Sequence, residues 1–189
     1  MDAVLITHDH ADHVNGLDDI RPLSERGDGM PIFGAPDTLE RLAIRFPYVF
    51  DSVRPLPGTS KPQAAARPLR PGETAEIGDL TVRPIPVQHG PMTVYGYRFG
   101  DLGYVTDAKT LSTDAINSLR GVKVLVLNAL FPTPHPTHLS ISEAIAVAQE
   151  IGAGRTYLTH LTHRRSHAQL EQELPAGIAP AYDGLTVII

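Results

Sequence analysis

The sequence predicts a mixed α+β fold. Two observations predict it: short strand-like runs dominate the early part of the chain, and strand–helix alternation dominates the late part. A third says where the chemistry lies. Polar residues recur just after predicted strand ends, where loops held by a rigid sheet assemble functional sites.

The elements follow in order. The apolar run Ala3 to Thr7 predicts a buried strand. Val14 to Ile20 predicts a short helix that stops before Pro22, and Ser24 to Met30 a polar loop. Ile32 to Gly34 predicts a short strand. Asp37 to Arg45 predicts a helix capped by Asp37, with Glu40 three residues on and an apolar stripe of Leu39, Leu42 and Phe46. Phe50 to Pro71, rich in Pro, Ala and Ser, has weak periodicity and predicts an irregular loop. Strands are then predicted over Glu73 to Ile77, Leu80 to Gln88, Thr93 to Phe99 and Leu102 to Thr106, with Gly78-Asp79 and Gly100-Asp101 as tight turns. Leu111 to Leu119 predicts a helix and Val122 to Leu127 a buried strand. Ser140 to Ile151 predicts a helix with a Ser140/Glu143 capping box and a stop at Gly152. Arg155 to Thr159 predicts a strand, Ser166 and Gln169 a capped helix up to Pro175, and Leu185 to Ile189 a closing strand.

At 189 residues the chain predicts one domain over 1–189 with a full core, and its 42% hydrophobic content is ordinary. The net charge of −5 and the lack of a Lys/Arg run weigh against long nucleic acid as substrate. No cysteine is present, which excludes disulfides, thiolate metal ligands and a cysteine nucleophile. No apolar run approaches a membrane span, and the start lacks a signal pattern, so a cytoplasmic location is expected.

The chemistry concentrates in His8-Asp9-His10-Ala11-Asp12-His13, directly after the first predicted strand. Histidine and aspartate are poor strand formers, and polar groups near a core are costly. Imidazole and carboxylate do suit divalent metals of hard to borderline character. His8 and His10 point the same way if the chain there is extended, while Asp12 and His13 fall on the following turn and can face a second ion. Each ion needs further ligands. His89, Asp107, Asn128 and His160 all follow predicted strands. His89 could complete the first site and His160 the second, with Asp107 between them. A metal pair about 3.5–4 Å apart could hold a bridging hydroxide, a nucleophile at neutral pH.

The order Thr7-His8-Asp9-His10-Ala11-Asp12-His13, His89, Asp107, His160 resembles the metallo-β-lactamase superfamily of dinuclear hydrolases over essentially the whole chain. The resemblance implies a four-layer αβ/βα sandwich with the site at one edge. It implies that His8, His10 and His89 bind one metal, Asp12, His13 and His160 a second, and that Asp107 bridges. Zinc is the expected metal, and manganese fits the same donors. Members of the family carry early strands before the first motif, so the chain is expected to lack its N-terminal strands. Strand edges left unfilled this way would favour a homodimer.

A narrower resemblance rests on Gly16-Leu17-Asp18-Asp19-Ile20-Arg21, Pro136-Thr137-His138-Leu139-Ser140 and Leu158-Thr159-His160-Leu161-Thr162-His163. These are similar to small phosphodiesterases of the phosphoribosyl cyclic phosphate type, related to transfer-RNA 3′-processing endonucleases. It implies a small or cyclic phosphate ester as substrate, a metal-bridging hydroxide as nucleophile and His138 as general acid. His138, Asp12 and Asp107 are therefore the expected catalytic residues. The alternatives are a nuclease, a thioester or lactone hydrolase of the same fold, or a non-catalytic metal-binding fragment. Among the remaining polar residues, His135 and His167 are expected on the surface and Asp183 in a turn. Tyr95 and Tyr97 are expected to pack. Asp9 is expected to face solvent or support a ligand, Arg21 to bind phosphate or form a surface ion pair, and His163 to lie near the site or in a loop.

Overall fold

The computed structural model describes residues 1–24, 29–53 and 55–189. These form two compact units, Met1–Asp79 and Leu80–Ile189.

The first unit holds β1 (Val4–Leu5), α1 (Ala11–Val14), a 3-10 helix over Asn15–Leu23, β2 (Met30–Gly34), α2 (Pro36–Arg45), α3 (Pro47–Phe50), β3 (Ala64–Pro68) and β4 (Ala75–Ile77). Strands β1, β2 and β3 pair side by side and parallel, with Val4 opposite Ile32 and Met30 opposite Ala64. Along β2, Met30, Ile32 and Gly34 are buried and alternate with half-buried Pro31 and Phe33, the two-residue period of a strand. Ile6, Val14, Leu17, Ile20, Met30, Ile32, Leu39, Leu42 and Val49 form its core.

Three sequence expectations change here. Asp37 does not cap α2. Ala35 is the N-cap and makes no side-chain cap, while Pro36 takes the first turn, where its missing N–H costs nothing. Asp37 instead sits in the first turn and accepts from Arg41 at 2.9 Å. The expected helix over 14–20 is a 3-10 segment that runs through Pro22 to Leu23. The expected irregular loop over 50–71 contains β3. Its Ala-Ala-Ala-Arg-Pro sequence has neither β-branched nor aromatic residues, and most of it is exposed, so only the pairing with β2 reveals it. Much of the polar loop expected over 24–30 lies outside the described residues.

The second unit holds β5 (Leu80–His89), β6 (Met92–Phe99), β7 (Leu102–Val105), α4 (Thr113–Leu119), β8 (Val124–Asn128), α5 (Ile141–Ile151), β9 (Arg155–Thr159), α6 (His167–Glu173) and β10 (Ile178–Pro180). Its strands lie in the order β10-β9-β8-β7-β6-β5. The β5–β6–β7 meander is antiparallel, and β7 to β10 are parallel, linked through helices as parallel strands must be. This makes the class α/β, where the sequence suggested α+β. His89 lies opposite Met92 across the Gly90-Pro91 turn, and Gly90 has φ +59°, which suits a two-residue hairpin. The core is continuous from Ile85 and Val87 through Leu125 and Leu127 to Ala144, Ile151 and Leu158. Tyr95 and Tyr97 are buried, 4% and 1% exposed.

Helix α5 has the expected capping box. The Ser140 hydroxyl accepts from Glu143 N, Glu143 accepts from Ser140 N, and Gly152 ends the helix in the left-handed region. Helix α6 repeats the device with Ser166 and Gln169. The expected closing strand over 185–189 is absent, and Ile178–Pro180 pairs with β9 instead. The sequence signal was misleading because Leu-Thr-Val-Ile-Ile is the stronger β-former, yet the short turn after α6 delivers residue 178 to the free edge of β9 first. Asp183 lies in a turn, as expected.

Candidate metal centre

The first unit carries one donor set. Strand β1 is followed by Ile6 and Thr7, both buried, and the chain emerges as His8 to His10 before α1 begins. His8 is 1% exposed, and its Nδ1 lies 3.0 Å from the Thr7 hydroxyl. Its Nε2 lies 3.0 Å from His10 Nδ1. The His8 and His13 rings stand 4.3 Å apart, and His13 Nε2 lies 3.3 Å from a carboxylate oxygen of exposed Asp12. His8, His10, Asp12 and His13 are thus gathered on one loop and one helical turn.

Asp9 faces the other way. Its carboxylate accepts from Arg41 Nε at 2.9 Å, and Arg45 donates to its carbonyl. Burial alone would raise the Asp9 pKa, yet the hydrogen bond and charge of Arg41 outweigh this and hold the carboxyl below its usual range. Asp9 therefore ties the ligand loop to α2. Arg21 makes an ion pair with Asp18 at 2.6 Å, which is the surface role.

The second unit carries the other set, built around Asp107. This carboxylate is 2% exposed and accepts from the Thr106 hydroxyl at 2.7 Å. Three imidazoles surround it. Nε2 of His138 and Nε2 of His160 lie 3.3 Å from its two oxygens, and Nε2 of His89 lies at 3.7 Å. The His138 and His160 rings stack at 5.0 Å, and His89 meets His138 edge-on at 4.6 Å. Asp107 and His160 both have φ +55°, the left-handed region that non-glycine residues enter at a cost. They follow the parallel strands β7 and β9, and β8 runs between these strands. Burial lowers the His138 pKa, Asp107 opposes this, and His89 and His160 lower it further; the net effect is downward.

One ligand atom each from Asp107, His138 and His160 lies within 4.8 Å of the others, which fits a divalent ion. The donor chemistry of both sets suits a divalent metal.

Two residues matter more than their sequence suggests. Asn128, fully buried at the end of β8, accepts from Ala108 N at 2.8 Å and donates to Ala108 O at 3.0 Å. It thereby clamps the backbone just after Asp107. His135, expected on the surface, stacks near Phe131 and lies beside His138 at a centroid distance of 5.1 Å. Asn128 has no signal in sequence beyond following a strand, and His135 has none. His167 pairs with Glu171 and meets Tyr182, and His163 is exposed.

Comparison with known proteins adds independent support. The Beta-lactamase superfamily domain matches residues 1–161. The chain is 36% identical over 194 residues to an octanoyltransferase of Porphyromonas gingivalis, covering 100% of this chain and 38% of that protein. It is 28% identical over 238 residues to Ribonuclease Z of Methanopyrus kandleri, covering 99% of this chain and 78% of that one. A solved diphosphatase from the PhnP family superposes with a TM-score of 0.89 at 35% identity, covering 100% of this chain and 72% of the other. The chain thus spans less than half of the octanoyltransferase. The domain match runs from the His8–His13 cluster through His160, across both donor sets, and the chain belongs to the metallo-β-lactamase superfamily.

Proposed function

We propose that this chain is a metal-dependent phosphodiesterase acting on a small or cyclic phosphate ester. The observation that carries the reading is His138, an imidazole 3.3 Å from Asp107, which we assign to proton transfer while His89, Asp107 and His160 would hold metal. The likeness to a diphosphatase of the PhnP family supports it, at 35% identity over the whole chain. His8, His10, Asp12 and His13 of the first unit and His89, Asp107 and His160 of the second would hold divalent ions, as the resemblance to the family implies. Zinc or manganese fits these donors. Such ions, when bound, supply Lewis acidity and lower the pKa of water from about 15.7 toward 7.

The chain's own residues do the rest. Asp107, held by Thr106 and by the Asn128 clamp, fixes the centre of the donor set. His138 presents Nε2 on the same side as Asp107 and delivers a proton to the departing alkoxide oxygen, a step worth about 10²–10⁴ in rate. The net charge of −5 favours a small substrate over long nucleic acid.

A second reading, an acyl or thioester hydrolase, is favoured by the octanoyltransferase relative, of which this chain spans 38%. Elemental analysis of the purified chain, alongside hydrolysis of bis(p-nitrophenyl) phosphate, separates the two. The phosphodiesterase predicts about two divalent ions per chain. It also predicts loss of turnover in Asp107→Ala and a fall of about 10²–10⁴ in kcat in His138→Ala. Thioester turnover without phosphodiester turnover, insensitive to His138→Ala, would overturn it.

A further inference from the structure

Strands β5 and β6 set two arginines side by side, at the opposite end of β5 from His89. Arg83 lies directly opposite Arg98 in the antiparallel register, so both side chains leave the same face of the sheet. Like charges placed this way repel and weaken the strand pair. Both arginines line one open cavity of about 440 Å³, together with Thr81, Gly100 and Asp101.

The two guanidinium groups are held differently. Arg98 is fixed: its Nε donates to Gly100 O at 2.9 Å, and one terminal nitrogen donates to Ser118 O at 2.7 Å and Arg120 O at 3.0 Å. Its other terminal nitrogen makes no hydrogen bond among the described residues. Arg83 is exposed, and its guanidinium has neither a hydrogen bond nor an ion pair among the described residues. Asp101 is the one acid on the cavity wall, and Lys123 Nζ holds it at 2.8 Å. The cavity is therefore positive in a chain whose net charge is −5. Arg83 stands about 20 Å along β5 from His89, at roughly 3.3 Å per residue, so the cavity is separate from the donor set.

We propose that Arg83 and Arg98 clamp the phosphate group of a small molecule. A phosphate dianion between two guanidinium groups replaces their repulsion with charge-assisted hydrogen bonds. Arg98 is already in place, and Arg83 has all its donors to give. The cavity is in the size range of small-ligand sites, about 300–1,000 Å³, so a phosphorylated metabolite fits as well as the inorganic ion. The proposal does not rest on the phosphodiesterase reading.

The test follows the arginine Nε–H signals of ¹⁵N-labelled full-length chain near neutral pH. Inorganic phosphate, glucose 6-phosphate, acetate and chloride are added separately at matched ionic strength. The Arg83 and Arg98 signals, assigned by Arg83→Gln and Arg98→Lys, should shift together and saturate with one Kd in both phosphates. Acetate and chloride should give no saturating shift. Tighter binding of glucose 6-phosphate marks an esterified phosphate as the ligand; equal or weaker binding marks the inorganic ion. In Arg83→Gln the Kd read at Arg98 should rise about tenfold or more. In chloride that variant should melt no lower than wild type, because it removes only repulsion. Shifts that grow linearly, a response that acetate reproduces, or a Kd unchanged in Arg83→Gln would overturn the proposal. So would phosphate moving histidine signals while both arginines stay still, or a lower melting point of Arg83→Gln in chloride.

Discussion

The donor set of the first unit and that of the second are held by different means. In the first, four donors fall within six consecutive residues, and the restraint is local: Thr7 contacts its neighbour His8, and exposed arginines of α2 hold Asp9. In the second, the donors are far apart in sequence and the restraint is buried. Asn128 clamps Ala108, Thr137 holds His89 and His138, and two residues sit in left-handed backbone. Buried hydrogen bonds are expensive to break, whereas exposed ion pairs are cheap. The second set should therefore be stiff and intolerant of change around it, and the first forgiving.

The sharpest way to break this contrast is Asn128→Ala. It strips a fully buried N–H and carbonyl of their partner, at about 1–3 kcal/mol per group, so denaturant unfolding should show a loss of about 2–6 kcal/mol. A loss under about 0.5 kcal/mol would mean the clamp is not what holds the Asp107 turn.

A smaller effect is expected at Glu143. The hydrogen bond from Lys109, then that from the Ser140 amide, outweighs burial and lowers its pKa to about 2 from an ordinary 4.5. A carboxyl depressed in the folded state adds stability that is complete above pH 4.5. That stability is lost as pH falls toward 2. The side chain is 37% exposed, so solvent screening holds the effect to about 1 kcal/mol. Thermal melts of Glu143→Gln should differ from wild type near neutrality and converge with it in acid.

The smallest effect is expected on the first unit's side. Asp9→Ala removes the exposed pair with Arg41 and should cost about 0.2–1 kcal/mol, read from the same unfolding curves. A larger cost than that of Asn128→Ala would invert the comparison.

The same contrast explains what sequence reading reached. The His8–His13 cluster announces itself because its donors are contiguous and follow an apolar run. His89, Asp107 and His160 were legible through strand ends and through the order of motifs. The roles of Asn128, itself picked out at a strand end, and of Thr137 were not, since they depend on which strands neighbour which, and a buried amide or hydroxyl carries no periodic signal. Strand β3 was hidden for a related reason: its alanines have weak strand preference, and pairing with β2 supplies what propensity lacks. The capping boxes of α5 and α6 were readable because both partners lie three residues apart.

The left-handed backbone at Asp107 and His160 sets a direction in which the molecule can decay. At φ +55° glycine meets no clash from a side chain, so backbone strain alone would favour glycine at both positions. Only the need for a carboxylate and an imidazole opposes this. In a lineage released from that need, positions 107 and 160 would be early places for glycine to accumulate.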